Sequence, residues 1–184
     1  INEAGGVLGK KIEFVRYDNR NDGVEAVNVA RRLVSDGVVA VIGPAQSGNS
    51  IASAPVFERG KIPMVVTTAT NPYVTIDQRS GKVRPFAFRP CFIDPFQGTV
   101  AARFAVTDLG AKKGAILYDV GSDYGQWLAK YFEEAFVEKG GTVVAKEAFR
   151  TDELDYRAQL GKMKELAPDV IFIPTSQKEA AMAA

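Results

Sequence analysis

The stretch VVAVIGPAQSGNS, residues 38–50, decides the fold class of this chain. Its first five residues are apolar and mostly β-branched, so they predict a strand buried on both faces, which Gly43 and Pro44 end. Small and hydroxyl-bearing residues follow, and then a helical pattern begins. Such a turn presents free backbone N–H groups at the carboxyl edge of a parallel sheet, where open α/β folds bind small anions. We therefore expect Ser47 to be a hydrogen-bonding group at the floor of a ligand site.

The alternation of strand and helix patterns continues along the whole chain. The predicted strands are 11–17, 38–42, 62–66, 86–88, 115–118, 142–145 and 170–173, and the predicted helices are 23–35, 51–59, 95–109, 125–139, 156–166 and a last one from 178. Strict alternation predicts an α/β fold with parallel sheets that carry helices on both faces. A loop-rich stretch ends at residues 93–95, where Asp94 is a candidate helix cap. We therefore expect two Rossmann-like lobes, residues 1–93 and 94–184.

A proline weakens the site argument at Ser47. Pro55 lies inside the predicted helix 51–59, where it removes a backbone hydrogen bond and predicts a kink. If the regular helix starts only near Ser53, the turn at Ser47 loses part of the helix-dipole field.

A second hydroxyl-rich bend follows the next predicted strand. The sequence MVVTTATNP, residues 64–72, places Thr68, Ala69 and Thr70 directly after buried apolar residues. Because neighbouring parallel strands end at one edge, Ser47 and this bend should lie together, and their hydroxyl and N–H groups suit a carboxylate. Tyr124 opens a helix in the second lobe and would face them across a cleft. The simpler alternatives are an ordinary strand–helix turn at Ser47 and a tyrosine packed at a helix start.

The composition excludes several classes of function. Net charge is +1 over 184 residues, without a basic block, so no nucleic-acid partner is expected, and no apolar run has the length of a membrane span. There is no histidine, and Cys91 is the only cysteine, so neither an internal disulfide nor a metal or cofactor site is expected. Ser47 or Cys91 as a nucleophile would lack its usual base, which argues against an enzyme.

One enzymatic alternative stays open. Residues 43–50, GPAQSGNS, nearly match the phosphate-binding loop G-x-x-x-x-G-K-[ST], and 115–119 resemble a strand ending in a magnesium-binding aspartate. Asn49 stands at the lysine position, which removes the cation that neutralises the β- and γ-phosphates. Nucleotide hydrolysis by a degenerate loop is therefore the remote hypothesis.

Both ends of the sequence look like internal segments of a longer chain. It begins without methionine in what looks like the tail of a helix and ends at residues 180–184 within a helical pattern. We expect a fragment of a longer mature protein, with its signal sequence outside the chain.

Several strings, taken in order, carry a family resemblance. VIGPAQSGNS, MVVTTATNP, AFRPCFIDPFQG, YDVGSDYGQWLA and PDVIF resemble the type I periplasmic solute-binding proteins, above all the leucine/isoleucine/valine-binding branch of ABC-transporter receptors. The resemblance covers almost the whole chain. It implies two lobes that close over a ligand by a hinge motion, and a periplasmic or extracytoplasmic location, with lipid anchoring as one form.

The resemblance also implies roles for particular residues. Ser47 matches the serine that meets the ligand carboxylate, Thr68 a position that contributes backbone, and Thr70 one whose hydroxyl meets the amino-acid head group, with Ala69 between them. Tyr124 matches the second-lobe tyrosine that covers the ligand. Ser176 falls where amino-acid binders often have an aromatic residue, so the second-lobe wall differs from theirs.

Two binding hypotheses result from this resemblance. The first is a non-enzymatic receptor that captures a branched-chain or related amino acid and delivers it to a membrane permease. The second is the same fold used for a carboxylate without an amine, such as an aromatic acid, or as an amide sensor. An acidic residue facing the cleft would favour the first.

Overall fold

The computed structural model describes residues 1–183, which form two three-stranded parallel sheets with helices packed against them. The helices are α1 (Gly23–Ser35), α2 (Ser47–Gly60), α3 (Asp94–Arg103), α4 (Asp123–Glu138), α5 (Arg157–Glu165) and α6 (Gln177–Ala183). The strands are β1 (Val41–Ile42), β2 (Met64–Val65), β3 (Ala87–Phe88), β4 (Lys113–Asp119), β5 (Thr142–Phe149) and β6 (Val170–Phe172). A 3₁₀ turn covers Pro72–Val74, and a π-helical turn at Phe104–Asp108 continues α3. The predicted α/β class with parallel sheets is confirmed.

The first sheet has the order β1-β2-β3, so β1 and β2 are neighbours that end at the same edge. Val41 lies opposite Met64, and Met64 lies opposite Ala87. One apolar core joins this sheet to α1 and α2, with Leu33, Phe57, Met64 and Val66 among its buried members. The predicted adjacency of the two bends therefore follows directly from the strand order.

The prediction that residues 38–42 form a strand buried on both faces is wrong. Only Val41 and Ile42 pair with another strand, and the side chains of Val39 and Ile42 are 89% and 75% exposed. β1 is an edge strand of this sheet, and the core covers only one side of it. A run of apolar residues identifies a strand, but it does not say how many of its faces the neighbours cover.

The strand predicted at residues 11–17 is also not formed. Its residues are exposed, with Phe14 66% accessible, and none of them pairs with a strand of the described chain. The segment is held by Asn2, whose side chain bonds both backbone groups of Ile12 at 2.8 Å, and by the Tyr17 hydroxyl, which donates to Asp36. Alternating polarity predicts a half-buried strand, but a strand forms only where a partner edge is present.

The second sheet has the order β5-β4-β6 and carries helices on both faces. On one face Ile116 packs with Phe132 and Phe136 of α4 and with α3. On the other face Leu117 packs with Phe149 and with Met163 of α5. The successive positions 116 and 117 point to opposite faces, as the strand period requires.

The predicted lobe boundary, 1–93 and 94–184, falls between β3 and α3. α3 packs along α4 in the second half of the chain, and Gly98 allows this because a Cβ there would lie 2.7 Å from the Tyr131 Cβ. α3 begins at Asp94, with Ile93 at the cap position, so the predicted capping role of Asp94 is wrong by one residue. The boundary itself stays a prediction.

Candidate ligand-binding site

A cavity of about 600 Å³ opens between the carboxyl ends of the two sheets. Its walls come from the loops that follow β1 and β2 on one side and from those that follow β4, β5 and β6 on the other. Parallel α/β sheets hold ligands at this edge, because the loops there are free to carry polar groups. Four of the six predicted site residues line this cavity: Ser47, Thr68, Tyr124 and Ser176.

The first wall is built on the beginning of α2. This helix starts at Ser47 and continues through Pro55 to Gly60, so the expected start near residue 51 or 53 is wrong. Gln46 occupies the cap position without a side-chain hydrogen bond to the helix. The first turn therefore offers uncapped backbone N–H groups and the positive end of the helix dipole to the cavity, where an anion would be stabilised.

Hydrogen bonds hold the two hydroxyl-rich bends against each other. The Asn71 backbone N–H donates to Ser47 Oγ at 3.2 Å, and Thr68 Oγ1 donates to the Ala45 carbonyl at 3.0 Å. Ser47 is 2% exposed, so its hydroxyl is held in place and still has its own proton to donate. The rigid pairing of these bends gives the first wall a fixed arrangement of donors.

The structure places Ala69 and Thr70 behind the first wall. Both are buried, and neither lines the cavity. Arg89 fixes their bend, because its guanidinium donates to the carbonyls of Ala69 and Asn71 at 3.4 Å and 2.7 Å. A ligand in the cavity would therefore have to reach past the lining residues to contact Ala69 or Thr70 as predicted.

Tyr124 lies at the start of α4, on the other side of the cavity. Its hydroxyl accepts a hydrogen bond from Gln97 Nε2 at 3.1 Å, and burial raises the pKa of this phenol. The bond joins α4 to α3 and holds the Tyr124 side chain in place at the second wall of the cavity. Tyr124 thus combines an apolar ring with a hydroxyl whose position is set by a neighbour.

The second wall is acidic, which the sequence did not reveal. Asp119 ends β4, and its carboxylate accepts from the Gly121 N–H and from Thr151 Oγ1 at 2.8 Å and 2.6 Å. Ser176 donates to the carboxylate of Glu179, and Asp123 extends from the first turn of α4. Because every predicted strand of the second lobe ends near one edge, the polar residues after 119, 149 and 173 could have been grouped from the sequence by the same argument as Ser47 and Thr68.

The two walls approach each other at Gly48. A Cβ at this position would lie 2.9 Å from Asp123 Oδ2, which places a carboxylate beside the first turn of α2. The structure thus shows an anion of the chain itself near the helix end that we expect to bind a ligand anion.

The features expected of a phosphate-binding enzyme are used otherwise here. Asn49, at the lysine position of the loop pattern, donates from Nδ2 to Asn21 Oδ1 at 3.2 Å. The Asp119 carboxylate accepts hydrogen bonds from two donors in the loops after β4 and β5. Among residues 1–183, no three acidic or cysteine side chains are grouped as metal ligands. None of the described helices has the length and apolar character of a membrane span.

Comparison with known proteins identifies a family and several relatives of this chain. The model of the periplasmic binding protein family matches residues 1–183. An amino acid binding protein of Pseudomonas aeruginosa is 34% identical over 181 residues, covering 98% of this chain and 47% of that protein.

Two solved structures are similar in both sequence and fold. The leucine binding protein LivK of Thermotoga maritima is 42% identical with a TM-score of 0.86, over 94% of this chain and 47% of that one. The branched-chain amino acid transporter substrate binding protein LivJ of Streptococcus pneumoniae, in complex with isoleucine, is 35% identical with a TM-score of 0.88, over 98% of this chain and 50% of that one. The chain spans about half the length of the relatives that it matches.

The resemblance inferred from the sequence strings is thereby confirmed, and so is the α/β fold with parallel sheets and packed helices. The chain belongs to the periplasmic binding protein family and is similar to branched-chain amino acid binding members of that family.

Proposed function

We propose that this chain carries the ligand cleft of an extracytoplasmic receptor that binds a branched-chain or related amino acid and delivers it to the membrane permease of an ABC importer. The observation that carries the proposal is the uncapped first turn of α2, which opens into the cavity beside the Ser47 hydroxyl. An amino-acid carboxylate needs several N–H or O–H donors and no competing negative charge on the same side. Ser47, Gly48 and Asn49 supply the donors, and the carboxylate that lies near Gly48, that of Asp123, belongs to the second wall.

The second wall favours a ligand that is not purely anionic. It carries Asp119, Asp123 and Glu179, and no lysine or arginine lines the cavity in the described residues. A simple carboxylate would be attracted by one wall and repelled by the other, whereas a zwitterion presents opposite charges to the two. This is the feature that favours an amino acid over an aromatic acid.

Transport requires that the ligand stabilises a closed arrangement. Tyr124 stands across the cavity from Ser47, so a ligand that touches both makes contacts that the open state lacks. Only this difference in affinity between the open and closed states drives closure. The closed form is then the one that a permease would recognise.

A ligand panel tests the proposal. Differential scanning fluorimetry of the full-length protein with L-leucine, L-isoleucine, L-valine, 4-methylpentanoate, 4-hydroxybenzoate and ATP should show a concentration-dependent rise in Tm with one or more of the amino acids. Isothermal titration calorimetry then gives the affinity. Stabilisation by 4-hydroxybenzoate alone would replace the amino acid with an aromatic carboxylate, and stabilisation by ATP alone would overturn the receptor function.

A further inference from the structure

Two polar side chains behind the first wall are buried without partners. The Asp94 carboxylate is fully buried, and Thr70 is 6% exposed. Neither carboxylate oxygen of Asp94, nor Thr70 Oγ1, has a hydrogen-bond partner among residues 1–183. Leaving such groups unpaired is costly, so native proteins keep them mainly where function requires them.

The backbone already holds these two residues together. The Asp94 N–H donates to the Thr70 carbonyl at 3.0 Å, which ties the first residue of α3 to the bend after β2. The Thr70 hydroxyl is close enough to lower the pKa of the Asp94 carboxyl, although the two groups do not meet hydrogen-bond geometry in this structure.

One cation and two phenols surround the Asp94 carboxylate. Arg89 faces it from the segment after β3, while Tyr124 and Tyr131 face it from α4, and the Asp94 charge contributes to the raised pKa of both phenols. Burial raises the pKa of Asp94 to about 6, and Thr70 and Arg89 oppose this rise. Asp94 is therefore ionised at neutral pH, within reach of a tyrosine that lines the cavity.

We propose that Asp94 is the positioning residue of Thr70: its carboxylate accepts the Thr70 O–H, which leaves the lone pairs of Thr70 Oγ1 to accept an N–H from the ligand ammonium. One chain of hydrogen bonds, from ammonium to hydroxyl to carboxylate, would satisfy both unpaired groups at once. The fixed direction of the O–H excludes a second carboxylate at this position, since Thr70 then offers no donor. The inference rests on the proposed function, because it concerns the amino end of the same ligand.

The first experiment separates the amino end of the ligand from its carboxylate. Calorimetry with L-leucine and with 4-methylpentanoate, its analogue without the amine, is carried out on the wild type, Asp94→Asn, Thr70→Val and the double variant. Asp94→Asn should weaken leucine binding about tenfold and 4-methylpentanoate binding less than about twofold. The double variant should bind leucine about as weakly as Thr70→Val alone, because the two residues act as one unit. Asp108→Asn, at an exposed position on the π-helical turn, is the matched control.

The second experiment needs no ligand. The ¹³Cγ resonance of Asp94 is titrated with pH in the wild type, Thr70→Val and Thr70→Ser. Loss of the hydroxyl should move the Asp94 midpoint upward, and serine should restore it, because a donor to the ionised form lowers a carboxyl pKa. An unchanged midpoint in Thr70→Val overturns the inference, as does an equal loss of both ligands in Asp94→Asn. If neither ligand binds the wild type, the proposed function fails for this ligand class, while the titration still decides the role of Asp94.

Discussion

The two walls of the cavity are built from the same kind of loop but carry opposite chemistry. In the first half of the chain, the loops after β1 and β2 supply hydroxyls, backbone N–H groups and a helix N-terminus, with no ionised side chain. In the second half, the loops after β4, β5 and β6 supply Asp119, Asp123 and Glu179. The difference shows that a repeated α/β unit fixes where a site lies, while short loops fix which charge it accepts.

The walls also differ in how their polar groups are satisfied. The α2 N-terminus is left without a side-chain cap, and Ser47 keeps a free proton. Asp119, by contrast, already accepts two hydrogen bonds, and Glu179 accepts one from Ser176. The first wall thus keeps free donors for a ligand group, whereas these two carboxylates of the second wall are already bonded by residues of that wall. This predicts that substitutions in the first wall affect binding more than equivalent ones in the second.

The largest expected effect is that of Ser47→Ala on ligand affinity. The change removes one charge-assisted hydrogen bond to the ligand carboxylate and should cost about 1.5–3 kcal/mol of binding free energy. Calorimetry with the best amino acid of the panel measures it in the full-length protein. Ser35→Ala, on the exposed end of α1, is the matched control and should leave affinity unchanged.

Two results would contradict this assignment. Unchanged affinity in Ser47→Ala would remove Ser47 from the site. A loss of unfolding free energy as large as the loss of binding free energy would instead indicate that the hydroxyl is a structural group, which acts through its bond with the Asn71 N–H.

The two walls also differ in how much of their structure the sequence predicts. The first wall was predictable because Ser47 and Thr68 follow apolar runs of neighbouring strands, and local turn chemistry determines such bends. Residues 11–17 and the faces of β1 were mispredicted because the presence of a pairing edge and of a covering layer is tertiary information. The predicted start of α2 was too late, since Pro55 suggested a break that the helix tolerates.

The second wall was missed for a different reason. Asp119, Asp123 and Glu179 each look like an ordinary capping or solvent-facing carboxylate when taken singly, and they form a group only when the common edge of the parallel strands β4, β5 and β6 is considered. Asp94 was read as a helix cap, because Asp before Pro at a helix start is typical of one. Its burial without a partner depends on packing against Thr70, Arg89 and α4, which no local pattern contains.

An intermediate effect is expected for Asp94→Asn on stability. Because burial raises the pKa of Asp94 from 3.8 to about 6, ionising it disfavours the folded state: the stability is fully present below about pH 4 and is lost as the pH rises through about 6. At neutral pH, Asp94→Asn should therefore raise the free energy of unfolding by about 1–2 kcal/mol, less than the full shift implies, because the new amide is also unpaired.

Urea unfolding of both proteins between about pH 4 and about pH 8 measures this difference. The contrast between the two proteins isolates Asp94, since carboxyls with lowered pKa, such as Asp155 at about 2 and Asp169, titrate in both. A difference that does not change with pH would show that Asp94 is not a desolvated, ionised group. If Asp94→Asn is more stable than the wild type but binds leucine more weakly, Asp94 contributes to binding at a cost in stability.

The smallest effect tests the contact between the two walls. Asp123→Asn removes the carboxylate that lies near Gly48 at the first turn of α2, where it competes with a ligand anion for the same helix end. Ligand affinity should therefore rise by about 0.3–1 kcal/mol, and more at low salt than at high salt, because the interaction is partly exposed. Glu138→Gln, at the far end of α4, removes one negative charge from the same helix without facing the cavity and should change nothing. Weaker binding in Asp123→Asn would reverse the comparison: the acidic wall would then hold the ligand directly, with its carboxylates on the ammonium group.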